Sequence, residues 1–138
     1  MKRPLETARR WLAQAEHSLG VGRVMVENGL WAKACFEAEQ TAQLALKAFL
    51  YRVGRRSVPI QSIRELVVES AKNDPELLQF LGHAGVLDRY YLTTRYPDSL
   101  PAPAVPFESY AQEEALEALS FAAEIVDAVK SRVPPVSS

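Results

Sequence analysis

Residues 30–50 read LWAKACFEAEQTAQLALKAFL, and this stretch decides the fold. Trp31, Ala34, Cys35, Ala38, Ala42, Ala45, Leu46 and Phe49 recur at intervals of three and four, the spacing of one face of an α-helix. The middle of that stripe is small residues, which let a neighbouring helix approach closely. The pattern predicts a helix from about Leu30 to Val53, closed by Gly54. Upstream, Leu5, Ala8, Trp11, Leu12, Ala15, Leu19, Gly22 and Val26 form a matching stripe that stops at Asn28-Gly29. The linker is so short that the two helices must run antiparallel.

Working outward from this pair, Ile60, Ile63, Leu66 and Val67 predict a short third helix, up to about Ala71. Asn73-Asp74-Pro75 interrupts the chain, with Asp74 as N-cap and Pro75 at the first helical position of the next element. Leu77, Phe80, Leu81, Ala84, Leu87, Tyr91 and Leu92 predict a fourth helix. Pro101, Pro103 and Pro106 exclude both a helix interior and a central strand, leaving a loop. The last helix is predicted from Phe107 or Glu108, with Ala111, Ala115, Ala118, Leu119, Ala122, Ile125, Val126 and Val129 on one stripe. Pro134-Pro135 ends it. The reading is all-α: an up-and-down helical bundle of about five helices, one domain over 1–133, then a frayed tail over 134–138.

Composition agrees. A chain of 138 residues with 48% hydrophobic and 24% charged residues is long enough to bury a core as one domain. Its 16 basic and 17 acidic residues leave a net charge of -1, which argues against a general polyanion binder. One cysteine, Cys35, excludes an intrachain disulfide framework and a cysteine zinc cage. His17 and His83 leave little for a histidine metal site, and no metal or cofactor is expected. No 18-residue apolar run and no signal-peptide pattern appear, so the expected setting is cytoplasmic, away from membranes.

Several residues bear on chemistry. Phe36, Gln40, Gln43, Leu44 and Lys47 lie opposite the alanine stripe of the second helix. This face is either solvated with scattered apolar residues or a contact surface for a twin subunit or a ligand. In the second case Phe36, Gln43 and Leu44 are interface residues. Asp88 falls inside the apolar stripe of the fourth helix and requires a partner: Arg89, Arg95 or a helix terminus. The structural expectation is an ion pair tying the proline-rich loop to the bundle. Arg10 and His17 share a face of the first helix, the side opposite its core stripe. Ser57, Ser62 and Cys35 have no His/Asp set around them, and no Gly-rich phosphate loop is present. Arg52, Arg55, Arg56 and Arg64 make a small basic patch after a helix C-terminus, where they complement its dipole.

Four stretches carry a resemblance when taken together: 11–15 (WLAQA), 30–36 (LWAKACF), 39–50 (EQTAQLALKAFL) and 94–98 (TRYPD). The combination resembles the HEPN domain family, "higher eukaryotes and prokaryotes nucleotide-binding", over nearly the whole chain. The resemblance implies a bundle of about five helices, a homodimer, and a minimal nucleotidyltransferase as partner in toxin–antitoxin-type pairs. It implies binding of a nucleotide or RNA, with Gln40, Lys47, Arg89, Arg95, Tyr96 and Asp98 as the contact region. Lys47 and the arginines would meet phosphate, Tyr96 would stack on a base, and Asp98 would order the loop or orient an arginine. Many branches of the family are RNases with an Arg-x(4–6)-His motif. Here Arg89 is followed by Tyr-Tyr-Leu-Thr-Thr-Arg, without a histidine, and no catalytic residue is assigned. The alternatives are a toxin-type RNase and a purely structural dimer subunit. A pocket lined by Lys47 and Arg95 would favour binding; their burial in a symmetric interface would favour the structural role.

Overall fold

The computed structural model describes residues 3–135. Every regular element among them is helical, as the periodicity predicts: α1 (Pro4–Glu27), α2 (Trp31–Arg52), α3 (Ile63–Ala71), α4 (Leu81–Asp88), α5 (Tyr90–Thr93) and α6 (Gln112–Lys130). Three short 3₁₀ segments, Pro75–Phe80, Pro97–Ser99 and Pro106–Glu108, each open on a proline. None of the helices is long and apolar enough to cross a membrane.

The helix α2 is central because its small side chains admit neighbours on several sides. It packs against α1, α6, α3, α4 and α5, and fourteen of its 22 residues are buried. The pairing with α1 is fixed by the turn. Gly29 adopts φ +71°, its N–H donates to the Val26 carbonyl, and Leu30 N–H reaches back to Met25 O at 2.9 Å. Gly54, at φ +103°, closes α2 in the same way, with Arg55 N–H on Leu50 O at 3.0 Å. Both are paired C-terminal closures in which a left-handed glycine satisfies the last carbonyls. Gly22 marks the approach of α6 to α1: a Cβ there would lie 2.5 Å from Leu119 Cδ2.

Two boundaries differ from the sequence reading. The fourth helix is three segments, since the proline-led 3₁₀ turn precedes α4 and Arg89 separates α4 from α5. The last helix begins at Gln112, not at Phe107 or Glu108. Pro106–Glu108 closes on itself, with Ser109 Oγ donating to Val105 O at 2.6 Å. The true start is set by Glu114, whose carboxylate accepts from Ala111 N–H at 2.9 Å. At the other end of α6, Arg9 donates from Nε to Pro134 O at 2.8 Å and also reaches Pro135 O. These contacts tie the start of the predicted tail to α1; residues 136–138 lie outside the described residues. Arg132 pairs with Asp74 at 2.5 Å and Glu76 at 3.0 Å, fastening the N-cap of the first 3₁₀ segment to the end of α6.

Of the partners expected for Asp88, the structure supplies the helix terminus, the N-terminus of α3, and not an arginine; the expected ion pair to the proline-rich loop is corrected. The carboxylate accepts from Ile63 N–H at 2.6 Å, Arg64 N–H at 3.1 Å and Ser62 Oγ at 3.0 Å. It therefore ties α4 to α3 and leaves the proline-rich loop alone. The first amides of a helix lack intrahelical partners and carry the positive end of the dipole, so a carboxylate there is doubly favoured. Asp88→Ala is expected to cost about 1–3 kcal/mol in a urea melt, and Asp88→Asn to recover part of it.

Candidate functional site

Where α2 passes the entry to α3 and the α4–α5 segment, the surface forms an open pocket of about 330 Å³. Glu39, Gln61, Ser62, Asp88 and Tyr91 line it. Ser62 is the N-cap of α3, and its Oγ accepts from Glu65 N–H at 3.2 Å. Asp88 is spent on the α3 amides, as described above.

Glu39 is the residue the sequence reading missed. Its side chain is fully buried. Gln43 Nε2 donates to Oε2 at 2.5 Å and Gln40 Nε2 to Oε1 at 2.7 Å. Burial pushes the carboxyl up to about 7; the two glutamine amides oppose this, Asp88 adds to it, and Arg95 opposes it. A signal was present. Cys35, Glu39, Ala42 and Leu46 follow at helical intervals, so Glu39 sits in phase with the core stripe.

Arg95 is held beside this pocket. Its Nε donates to Tyr91 O at 2.9 Å. Its guanidinium carbon lies 4.3 Å from the Phe36 ring centre, 4.8 Å from Tyr91 and 4.9 Å from Tyr96. Among the described residues no carboxylate is within ion-pair distance of it, and Nη1 and Nη2 have no hydrogen-bond partner yet are not sealed from solvent. Such an arrangement holds the planar cation by stacking and leaves its outer donors unspent. Tyr96 is 51% exposed, with its ring against the Arg95 guanidinium.

Of the six residues expected in the contact region, the fold brings Gln40, Arg95 and Tyr96 to this neighbourhood. Lys47 stands elsewhere, two turns beyond Gln40, with Nζ 6.0 Å from the Trp11 ring centre. Burial lowers its pKa, against the pull of Glu39. The pocket is thus not lined by Lys47 and Arg95 together. Arg89 is exposed at the α4–α5 boundary. Asp98 is exposed and makes no hydrogen bond or ion pair with a described residue. The loop is ordered instead by Ser99, whose hydroxyl reaches Leu92 O at 3.1 Å and Tyr96 O at 2.5 Å.

The second face of α2 is partly covered from within the chain. Phe36 lies under Arg95, Gln43 is 7% exposed and bonded to Glu39, and Leu44 is half-buried against the core. The face is thus partly covered and not bare, while Phe36, Gln40, Leu44 and Lys47 keep partial exposure. Arg10 and His17 are exposed on α1. His83 stacks on Phe121 with ring centres 3.8 Å apart, and its Nε2 is 3.1 Å from Glu124, so it joins α4 to α6. Burial pushes the Cys35 thiol up to about 12, which leaves it protonated at neutral pH. In the basic patch Arg55 pairs with Glu69 at 3.4 Å. Among the described residues no cluster of histidine, cysteine or acidic groups has the makings of a metal site.

Comparison with known proteins places this geometry. TT1696 from Thermus thermophilus has the same fold, with a TM-score of 0.83 at 37% identity over 91% of this chain and 97% of that one. A Methanocaldococcus jannaschii protein described as "Putative toxin MJ1304" is 25% identical over 133 residues, 91% of this chain and 88% of its own length. Human sacsin is 29% identical over 126 residues, 89% of this chain, yet the match spans 3% of sacsin. The HEPN domain model matches residues 8–132, from the first turns of α1 to just past α6. A bundle with this helix order, matched over that length, belongs to the HEPN domain family.

Proposed function

We propose that this HEPN domain binds a nucleotide, with phosphate on Arg95 and the base against Tyr96. The observation that carries the reading is the state of Arg95: stacked among three aromatic rings, fixed at Nε, and free of any carboxylate at its outer nitrogens. A guanidinium held in that way suits the planar fork of a phosphate and loses little freedom on binding. The adjoining pocket offers Gln61 as a further polar contact. In the same reading the chain works as a homodimer in the cytoplasm and pairs with a minimal nucleotidyltransferase. Light scattering of the protein alone, then with such a partner, tests those two points.

The test of binding is calorimetric titration with nucleoside monophosphates and triphosphates at two salt concentrations. Arg95→Ala is expected to weaken binding by about tenfold or more, since a charge-assisted pair is lost. Arg95→Lys should restore little, because an ammonium neither stacks nor forks. Undiminished affinity in both variants overturns the site. RNA cleavage is the competing reading, and the relative named as a toxin favours it. A labelled RNA incubated with the same samples separates the two: binding without cleavage supports a binding module.

A further inference from the structure

Gln40 and Gln43 flank the buried Glu39, and that carboxylate dictates how their amides point. Above about pH 7 the Glu39 carboxyl is ionised and only accepts hydrogen bonds, so a glutamine beside it turns its NH₂ inward. Gln40 Nε2 takes Glu39 Oε1 at 2.7 Å, and Gln43 Nε2 takes Oε2 at 2.5 Å. For Gln40 the consequence is an aimed carbonyl. Its Oε1 accepts from no described residue and is not among the buried unpaired atoms, so it opens to solvent. Phe36 lies one turn earlier on the same face of α2, beneath the Arg95 guanidinium. A held acceptor thus stands one helical turn from Phe36, the ring on which the Arg95 guanidinium lies. Gln43, at 7% exposure, is too enclosed to share that role.

Resting on the reading of the ledge formed by Arg95 and Tyr96 as a nucleotide site, we infer that Gln40 is its base-reading residue. It selects bases with an amino group where their counterparts carry a keto oxygen, adenine over hypoxanthine and cytosine over uracil. An amino group donates to the waiting carbonyl. A keto oxygen meets it lone pair to lone pair, and the amide cannot turn over, because its own oxygen would then face the Glu39 carboxylate. Free glutamine reads either edge; a glutamine clamped at one end reads one.

The experiment compares, at pH 8 where Glu39 is ionised, adenosine 5′-monophosphate with inosine 5′-monophosphate, which carry the same phosphate and nearly the same stacking surface. In the wild-type protein the adenine nucleotide is expected to bind about tenfold more tightly. Gln40→Met should bring the two affinities together. Glu39→Gln, which keeps the shape but removes the clamp, should also shrink the ratio, a result that mere bulk at position 40 does not produce. Equal wild-type affinities overturn the inference, and so does a ratio that survives both substitutions. Binding of neither nucleotide has a different meaning: the ledge is then no nucleotide site, and the selectivity falls with it.

Discussion

Glu39→Gln is expected to stabilise the protein at pH 8 by roughly 3 kcal/mol and to flatten its stability between pH 4.5 and 7. The carboxyl has an ordinary value of 4.5 and is raised to about 7 in the fold, chiefly by burial. Below pH 4.5 it is protonated whether the chain is folded or not, and it imposes no penalty. Between 4.5 and 7 the unfolded chain releases the proton freely while the folded chain retains it. The folded state then binds more protons, so stability falls as pH rises, and the loss is complete above 7. The groups facing Glu39 moderate this. Gln40 and Gln43 donate to it, Arg95 favours its charge, and Asp88 opposes it, while Lys47 gains from it along α2. Glutamine is nearly isosteric and carries no charge to desolvate. Urea melts of both proteins at pH 4 and pH 8 check the claim: the two curves should lie close together at the lower pH and apart at the higher. Asp74 acts with the opposite sign and elsewhere on the scale. Its carboxyl is held low by Arg132, so its contribution disappears only as pH falls below the ordinary carboxylate range.

The bundle was legible because its signals are local and repeat. Eight residues of α2 in phase, a matching stripe in α1, and glycines at 29 and 54 fix the central hairpin before any tertiary contact is considered. The illegible parts have their cause in the same locality. The start of α6 depends on Glu114 folding back onto the Ala111 amide, and a capping carboxylate looks like any other surface glutamate in a sequence. Asp88 was recognisable as an in-phase acid needing a partner. A helix terminus was among the candidates, yet which one it is was not readable, because two of its three donors are backbone amides some 25 residues earlier and the third is the Ser62 hydroxyl. Lys47 and Arg95 were paired by charge, whereas α2 carries Lys47 away toward Trp11 and brings Phe36 to Arg95 instead. Glu39 was readable by phase, but surrounding alanines and glutamines made it look like one more polar residue on a long helix.

Leu46→Ala should be the most damaging single truncation of α2, costing about 4 kcal/mol and lowering Tm by roughly 10–20 °C. Leu46 is fully buried and is among the largest enclosed side chains of the core. Its neighbours on the stripe are Cys35, Ala38, Ala42 and Ala45, all fully buried as well. The cost of a cavity depends on how far its surroundings relax into it, and an alanine has no rotamer with which to reach across. Neighbouring backbones, already brought close by those small residues, cannot move in without clashing elsewhere; Gly22 against Leu119 shows how little room there is. The loss therefore falls in the upper half of the usual range for a leucine. Leu44→Ala is the control, since Leu44 is only half-buried, and it should cost about 1 kcal/mol. The reverse change, Ala42→Leu, should also destabilise by about 1–3 kcal/mol, because the space it needs belongs to a neighbouring helix. Equal costs for Leu46→Ala and Leu44→Ala in urea melts would mean that α2 is not the centre of the bundle. The site would then lose its frame, because Phe36, Glu39 and Gln40 take their positions from the same helix.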